Sequence, residues 1–185
     1  DMWTSAGVVV IADASYQVLW EVVADGLGGV LVSWEEGSPH YVNAQRFDAN
    51  GTKLWYTDGW PISGFINDKS NRHTMIADGT GGLFGADGFS SGALTVARYS
   101  AYGLAAWNAP FDSNVGSGYS PVIDMVADGA GGIVAVAVDA VGGVSAWRLN
   151  GLGASQWSSA GEPIQRMTYT AAAVLVATTD SHFIL

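Results

Sequence analysis

"FDANGTKLWYTDGWPI", residues 47–62, sets a Gly four residues before a Trp and follows with Gly-x-Pro-Ile. Whether this stretch is a private loop or one copy of a recurring unit decides the fold. It recurs. "DANGTKLW" at 48–55 has relatives in "SAYGLAAW" at 100–107 and "NGLGASQW" at 150–157. Gly51, Gly103 and Gly153 each precede a tryptophan, Trp55, Trp107 or Trp157, by four residues. Arg46, Arg98 and Arg148 each precede the same tryptophan by nine.

A second string keeps step with the first. "VADGLGGVLVSW" (23–34), "IADGTGGLFGAD" (76–87) and "VADGAGGIVAVAV" (126–138) share Ala-Asp-Gly-x-Gly-Gly plus an apolar residue. The Asp falls at 25, 78 and 128, a period of 53 and then 50, and the Asp-to-Arg distance is 21, 20 and 20. Landmarks in phase at this period mark a repeat architecture. The ends extend the pattern. Trp3 lies 22 residues before Asp25, as Trp55 lies 23 before Asp78, and Asp180 lies 23 after Trp157. The expected division is the end of a preceding unit at 1–7, whole units at 8–57, 58–109 and 110–159, and the start of another at 160–185. The start at Asp1 reads as a processed or truncated chain, and the stop at "HFIL", inside a strand, favours part of a longer polypeptide over half of a dimeric ring.

Each unit reads as four short β-strands. The first ends at the Asp-Gly ("QVLWEVVA", "HTMIA", "VIDMVA") and the second follows the Gly-Gly ("GVLVSW", "GLFGA", "GIVAVAV"). The third carries the Arg ("YVNAQRF", "LTVARY", "GVSAWRL") and the fourth ends at the Trp ("TKLWY", "LAAWN", "ASQW"). These runs are β-branched or aromatic and bounded by turn residues, with no sustained helical spacing. Asp-Gly between apolar runs is a hairpin signal, since Asp bonds its own following backbone and Gly supplies positive φ. A Ca²⁺ loop needs several oxygen ligands, and each repeat offers one carboxylate. Four-stranded meanders repeated every 50 residues or so predict an all-β chain, a β-propeller of about three and a half blades. In that fold the repeated Trp is buried between neighbouring blades, and the repeated Arg stacks on an aromatic or bonds a neighbouring turn carbonyl.

The strings also carry a family resemblance. "AQRFDANGTKLWYTDGWPI" with the preceding "ADGLGGVLVSW" resembles a repeat of exported bacterial propeller proteins, and "DANGTKLW" is similar to the tryptophan-docking motif of quinoprotein-alcohol-dehydrogenase-like propellers. That resemblance implies a closed ring of several blades, an exported location (periplasm, cell surface or outside the cell), and a noncatalytic scaffold or interaction role. The later units keep little more than the Gly and the Trp, and the adjacent-Cys pair that often caps the quinone cofactor is absent.

Composition narrows function further. The 185 residues are 49% hydrophobic and 13% charged, with 8 Trp, 25 Gly, no Cys and a net charge of −10. Such a chain folds, and with 7 Lys and Arg it is ill suited to phosphate backbones or anionic lipid. No apolar run reaches the roughly 18 residues of a membrane helix, and no disulfide, thiolate metal site or Cys nucleophile is possible. No catalytic motif appears. The expected cofactor set is empty, and the expected partner is another protein: a second copy closing the ring, or a larger assembly.

Two sets of loops result. The turns at one end of each unit recur almost unchanged, whereas "EEGSPH", "DGFSSG", "DAVGG" and the links between units vary. Variable loops on a rigid scaffold are where binding resides. The candidate binding residues are Glu35, Glu36, His40, Tyr41, Trp60, Arg72, His73, Tyr119 and Glu162. Glu35 and Glu36 read either as an acid and base or as a solvated pair on opposite faces. His40 and His73 read as metal ligands or as surface histidines. Trp60 reads as a stacking platform for a sugar or a partner side chain, or as packing of the link. The leading function is a noncatalytic interaction module; the alternatives are a carbohydrate-binding propeller using Trp60 and Tyr119, and a remnant of a quinoprotein enzyme.

Overall fold

The structure, a computed structural model, describes residues 3, 6–12, 17–37, 41–56, 58–62, 70–89, 94–111, 122–138, 143–157, 162–166, 176–177 and 183–184. It is all-β, built of antiparallel sheets, with no helix among the described residues. The first sheet holds β1 (Gln17–Ala24), β2 (Val30–Glu36), β3 (Tyr41–Phe47) and β4 (Trp60–Pro61) in that order. The second holds β5 (Ser70–Ala77), β6 (Leu83–Phe89), β7 (Leu94–Tyr99) and β8 (Ala105–Phe111). The third holds β9 (Val122–Ala127), β10 (Ile133–Val138), β11 (Gly143–Leu149) and β12 (Glu162–Arg166). A two-stranded sheet of β13 (Val176–Ala177) and β14 (Phe183–Ile184) follows.

The first strands of successive sheets are neighbours: β1 lies against β5, β5 against β9 and β9 against β13. Between them the sheets pack face to face. One core joins Leu31, Val42 and Ala44 of the first sheet to Met75, Leu83, Ala97 and Tyr99 of the second. The next joins Phe84, Ala86 and Val96 of the second to Met125, Ile133, Ala135, Trp147 and Leu149 of the third. The second sheet thus buries both faces, and a face-to-face neighbour is what makes so small a sheet stable.

The fourth strands differ from expectation in two sheets of three. Only β8 contains its tryptophan, pairing Arg98 with Trp107. In the first sheet the chain makes an isolated bridge between Phe47 and Lys53, leaves the ladder, and returns as β4 opposite Ala44. The cause is Gln45. Its buried Oε1 accepts from the Trp55 amide at 2.9 Å and its Nε2 donates to the Tyr56 carbonyl at 2.7 Å, in place of a strand ladder. In the second sheet, where Ala97 holds the matching position, backbone pairs with backbone. The third sheet again shows an isolated bridge, Leu149 to Ser155, before β12 begins at Glu162. The segments read as links at 60–61, 109–111 and 162–166 are therefore strand.

Candidate functional site: the seam lock and the opposite end of the sheets

The repeated residues converge on one device. In the first turn of each sheet the Asp carboxylate accepts two backbone amides: Asp25 Oδ1 takes Leu27 and Gly29, both at 2.8 Å. Asp78 Oδ1 takes Thr80 at 2.8 Å and Gly82 at 2.9 Å, and Asp128 Oδ1 takes Ala130 and Gly132, both at 2.8 Å. The other oxygen faces the Arg of the third strand. Arg46 meets Asp25 at 2.8 Å, Arg98 meets Asp78 at 2.9 Å and Arg148 meets Asp128 at 3.0 Å. The second Gly of the pair permits this closeness: a Cβ on Gly82 would stand 2.2 Å from the Tyr99 carbonyl oxygen. The Asp–Arg pair was not foreseen as a contact, although the constant spacing of 21, 20 and 20 residues was its signal.

Burial pushes all three carboxyls up. The amide donors of the turn and the arginine outweigh it, so each sits below the ordinary Asp range.

The arginine and the tryptophan then reach the next sheet and share one acceptor there. Trp55 Nε1 donates to the Ala101 carbonyl at 2.9 Å, and Arg46 Nη1 approaches the same oxygen at 3.5 Å. Trp107 Nε1 donates to the Gly151 carbonyl at 2.9 Å, and Arg98 Nη1 to the same oxygen at 3.1 Å. Trp3 repeats the contact one step earlier, on Ala49 O at 3.1 Å. The acceptor always lies two residues before a positive-φ glycine: Gly51, Gly103 or Gly153, with φ of 81°, 80° and 80°. The indole lies over that glycine; a Cβ on Gly103 would stand 3.1 Å from Trp55, and one on Gly153 2.7 Å from Trp107. Trp55 and Trp107 thus occupy matching surroundings, while Trp157 is 36% exposed. Arg98 also lies over the Phe84 ring, 5.4 Å from its centroid.

At the other end of the sheets the sequence candidates scatter. Glu35, Glu36 and Tyr41 flank the β2–β3 connection and are half-buried. Glu36 Oε2 accepts from Asn43 Nδ2 at 3.0 Å and from Trp34 Nε1 at 3.3 Å, which ties it to its own sheet. Trp60, expected on a loop, is a strand residue opposite Ala44 and packs against the first core. Arg72 and Glu162 lie on β5 and β12. His40 and Tyr119 lie outside the described residues.

His73 corrects the expectation most sharply. It is no surface residue: its side chain is wholly buried, with Nδ1 3.0 Å from Asp87 Oδ1 on the adjacent strand. From the neighbouring sheet Glu21 sends Oε2 to the Met75 amide at 2.6 Å, and burial, the leading influence, raises its pKa against the pull of that amide and of nearby His73. Buried Ser33 is the register partner of Glu21. The third sheet has Ile123 and Ala137 where the second has His73 and Asp87, both pairs facing each other across a hairpin. Sequence reading missed Asp87, although His73 and Asp87 each stand seven residues from Thr80 at the hairpin tip. Among the described residues no group of three or more His, Asp or Glu is placed to hold a metal ion. No described helix is long and apolar enough to cross a membrane.

No protein-family model and no curated protein matches the chain. Among solved structures it is similar to a protein of unknown function from Bacteroides caccae, with a TM-score of 0.55 and 12% sequence identity. The match covers 90% of this chain and 52% of that one, so the chain spans about half the length of its neighbour. At this identity the likeness concerns fold alone.

Proposed function

We propose that the chain is a noncatalytic β-propeller scaffold of an exported or cell-surface protein, and that it binds another protein through the β2–β3 end of its sheets. The observation that carries this reading is the division of labour between the two ends. At one end the first and second sheets spend the same Asp, Arg and Trp on holding the next sheet over a glycine of its turn, and first strands lie side by side, as the blades of a propeller would place them. At the other end the connections differ from sheet to sheet, which suits recognition. The partial seating of Trp60 in the core argues for packing over sugar stacking.

The test has two parts. Small-angle scattering or electron microscopy measures whether the sheets curve around an axis. Proteins recovered from the cell envelope on the immobilised chain are then compared with those recovered on a variant whose residues 37–40 are replaced by Gly-Ser. A protein retained by the native chain and lost by the variant is the expected result. Sugar binding on a glycan array that Trp60→Ala abolishes replaces this reading with a lectin. Co-purified Ca²⁺ with a quinone absorbance replaces it with a quinoprotein.

A further inference from the structure

The turns that follow the third strands contain two Asn-Gly pairs, Asn50–Gly51 and Asn150–Gly151, one position out of step with each other. Asn150 opens its turn, in the slot that Asp48 fills in the first sheet and Ser100 in the second. Asn-Gly is where a backbone amide most readily attacks the side chain before it, because glycine puts nothing in the way of the approach. The turn arms this attack at Asn150. Its Oδ1 accepts the Leu152 and Ala154 amides, both at 3.0 Å, which turns the side chain toward the chain that follows. The same two donors face the oxygen on which negative charge develops as a nitrogen adds to Cγ. In the first sheet this slot does hold a charge. Asp48 Oδ1 takes the Asn50 and Thr52 amides, both at 2.8 Å, and the Thr52 amide foremost keeps that carboxyl below the ordinary Asp range. Among the described residues no acceptor engages the Gly151 amide, and Asn150 is only half-buried, so water reaches it. Asn50 lacks these advantages. The Gly51 amide donates to the Asp48 carbonyl at 3.0 Å, and the Asn50 side chain bonds the Asp48 carboxylate, whose charge opposes a second one beside it.

We propose that Asn150 is a site of spontaneous deamidation and isomerisation, and that this modification undoes the lock between the second and third sheets. The Gly151 nitrogen bonds to Asn150 Cγ, its proton leaves with the side-chain nitrogen as ammonia, and a succinimide ring closes. Water opens that ring at either carbonyl, leaving aspartate or isoaspartate at position 150. In isoaspartate the main chain runs through the former side chain and is a methylene longer. The former backbone carbonyl, which accepted the Gly153 amide at 2.9 Å, becomes a carboxylate branch. The next carbonyl along is that of Gly151, the acceptor shared by Trp107 and Arg98. Moving it unseats both donors at once. The lock between the first and second sheets is exempt, because its acceptor Ala101 follows Ser100, which has no amide to lose. Glycine at 151 is also a packing requirement, since a Cβ there would stand 2.7 Å from the Gly131 carbonyl oxygen, so the test substitutes Asn150 and leaves Gly151 in place.

The folded chain is incubated in mildly alkaline buffer and sampled over time. Peptide mapping by mass spectrometry follows conversion at each asparagine, and an isoaspartyl methyltransferase assay counts isoaspartate. Asn150 is expected to convert at least about tenfold faster than Asn50, and in urea the two rates converge, since both are Asn-Gly. The isoaspartate chain, separated by ion exchange, is expected to melt below the fresh chain and to lose hydrogen-exchange protection at the Trp107 indole. A fresh Asn150→Asp chain, which has the new charge on an ordinary backbone, keeps both properties, as does an Asn150→Ser chain after the same incubation. Equal rates at the two asparagines in the folded chain, a rate ratio that survives in urea, or an isoaspartate chain with unchanged indole protection overturns the proposal.

Discussion

Gly103 shows what single residues contribute. Its φ of 80° is the left-handed region, and its missing side chain makes room for Trp55. Gly103→Val therefore combines a backbone cost of about 1–2 kcal/mol with displacement of the indole, and we expect urea denaturation to show a total loss of about 3 kcal/mol. Trp55→Phe keeps a ring over the glycine and removes only the donor to Ala101, so its expected cost beyond lost ring area is about 1 kcal/mol. A loss in Trp55→Phe as large as in Gly103→Val argues against the hydrogen bond as the lesser part. Asp78→Asn leaves Arg98 with the Gly151 carbonyl but no counter-charge. Arg98 is partly open to water, so the expected loss is about 2 kcal/mol, under the roughly 3–5 kcal/mol of a wholly buried pair.

At the scale of the element, Gln45 stands in for a strand ladder. Gln45→Ala strands the Trp55 amide and the Tyr56 carbonyl, for an expected loss of about 2 kcal/mol, with faster hydrogen exchange at the Trp55 amide as the local sign. An unchanged exchange rate there sinks the account. This is also where sequence reading fell short. Turn strings and first, second and third strands were legible because Asp-Gly, Gly-Gly and β-branched runs act locally. The fourth strand was misplaced because the chain past the Arg can leave the ladder, in the first sheet onto a glutamine side chain eleven residues from Tyr56, and no local pattern records that. His73 was misread because its burial comes from a neighbouring sheet, which no local pattern records. A double-mutant cycle probes that pair: Asp87→Ala alone is expected to cost about 3 kcal/mol, whereas His73→Ile with Asp87→Ala, the residues of the third sheet, is near neutral. The outer strands carry Pro61, Pro110 and Pro163. A proline cannot donate to a further ladder, so each outer edge resists unwanted pairing.

For the whole molecule, two sets of carboxyls act against each other. Asp25, Asp78 and Asp128 have folded pKa values below their unfolded ones. Their stabilisation is complete above the unfolded Asp value of about 4 and is lost as pH falls through the folded values. Glu21 is raised, so its contribution runs the other way: complete below its unfolded value and lost as pH rises through the folded one. Glu21→Gln is therefore expected to raise stability near neutrality while leaving acid unfolding in place. Denaturation midpoints measured across pH check both arms, and a Glu21→Gln chain weaker than wild type at neutral pH contradicts the assignment.

The lock between sheets is also one-sided. Indole and guanidinium always leave the earlier sheet, and the carbonyl always belongs to the later one. A row built this way has a direction, with indole and guanidinium at one end and an accepting turn at the other. Each sheet is therefore added in the same sense as the last, and one repeated contact fixes the sense of the whole row.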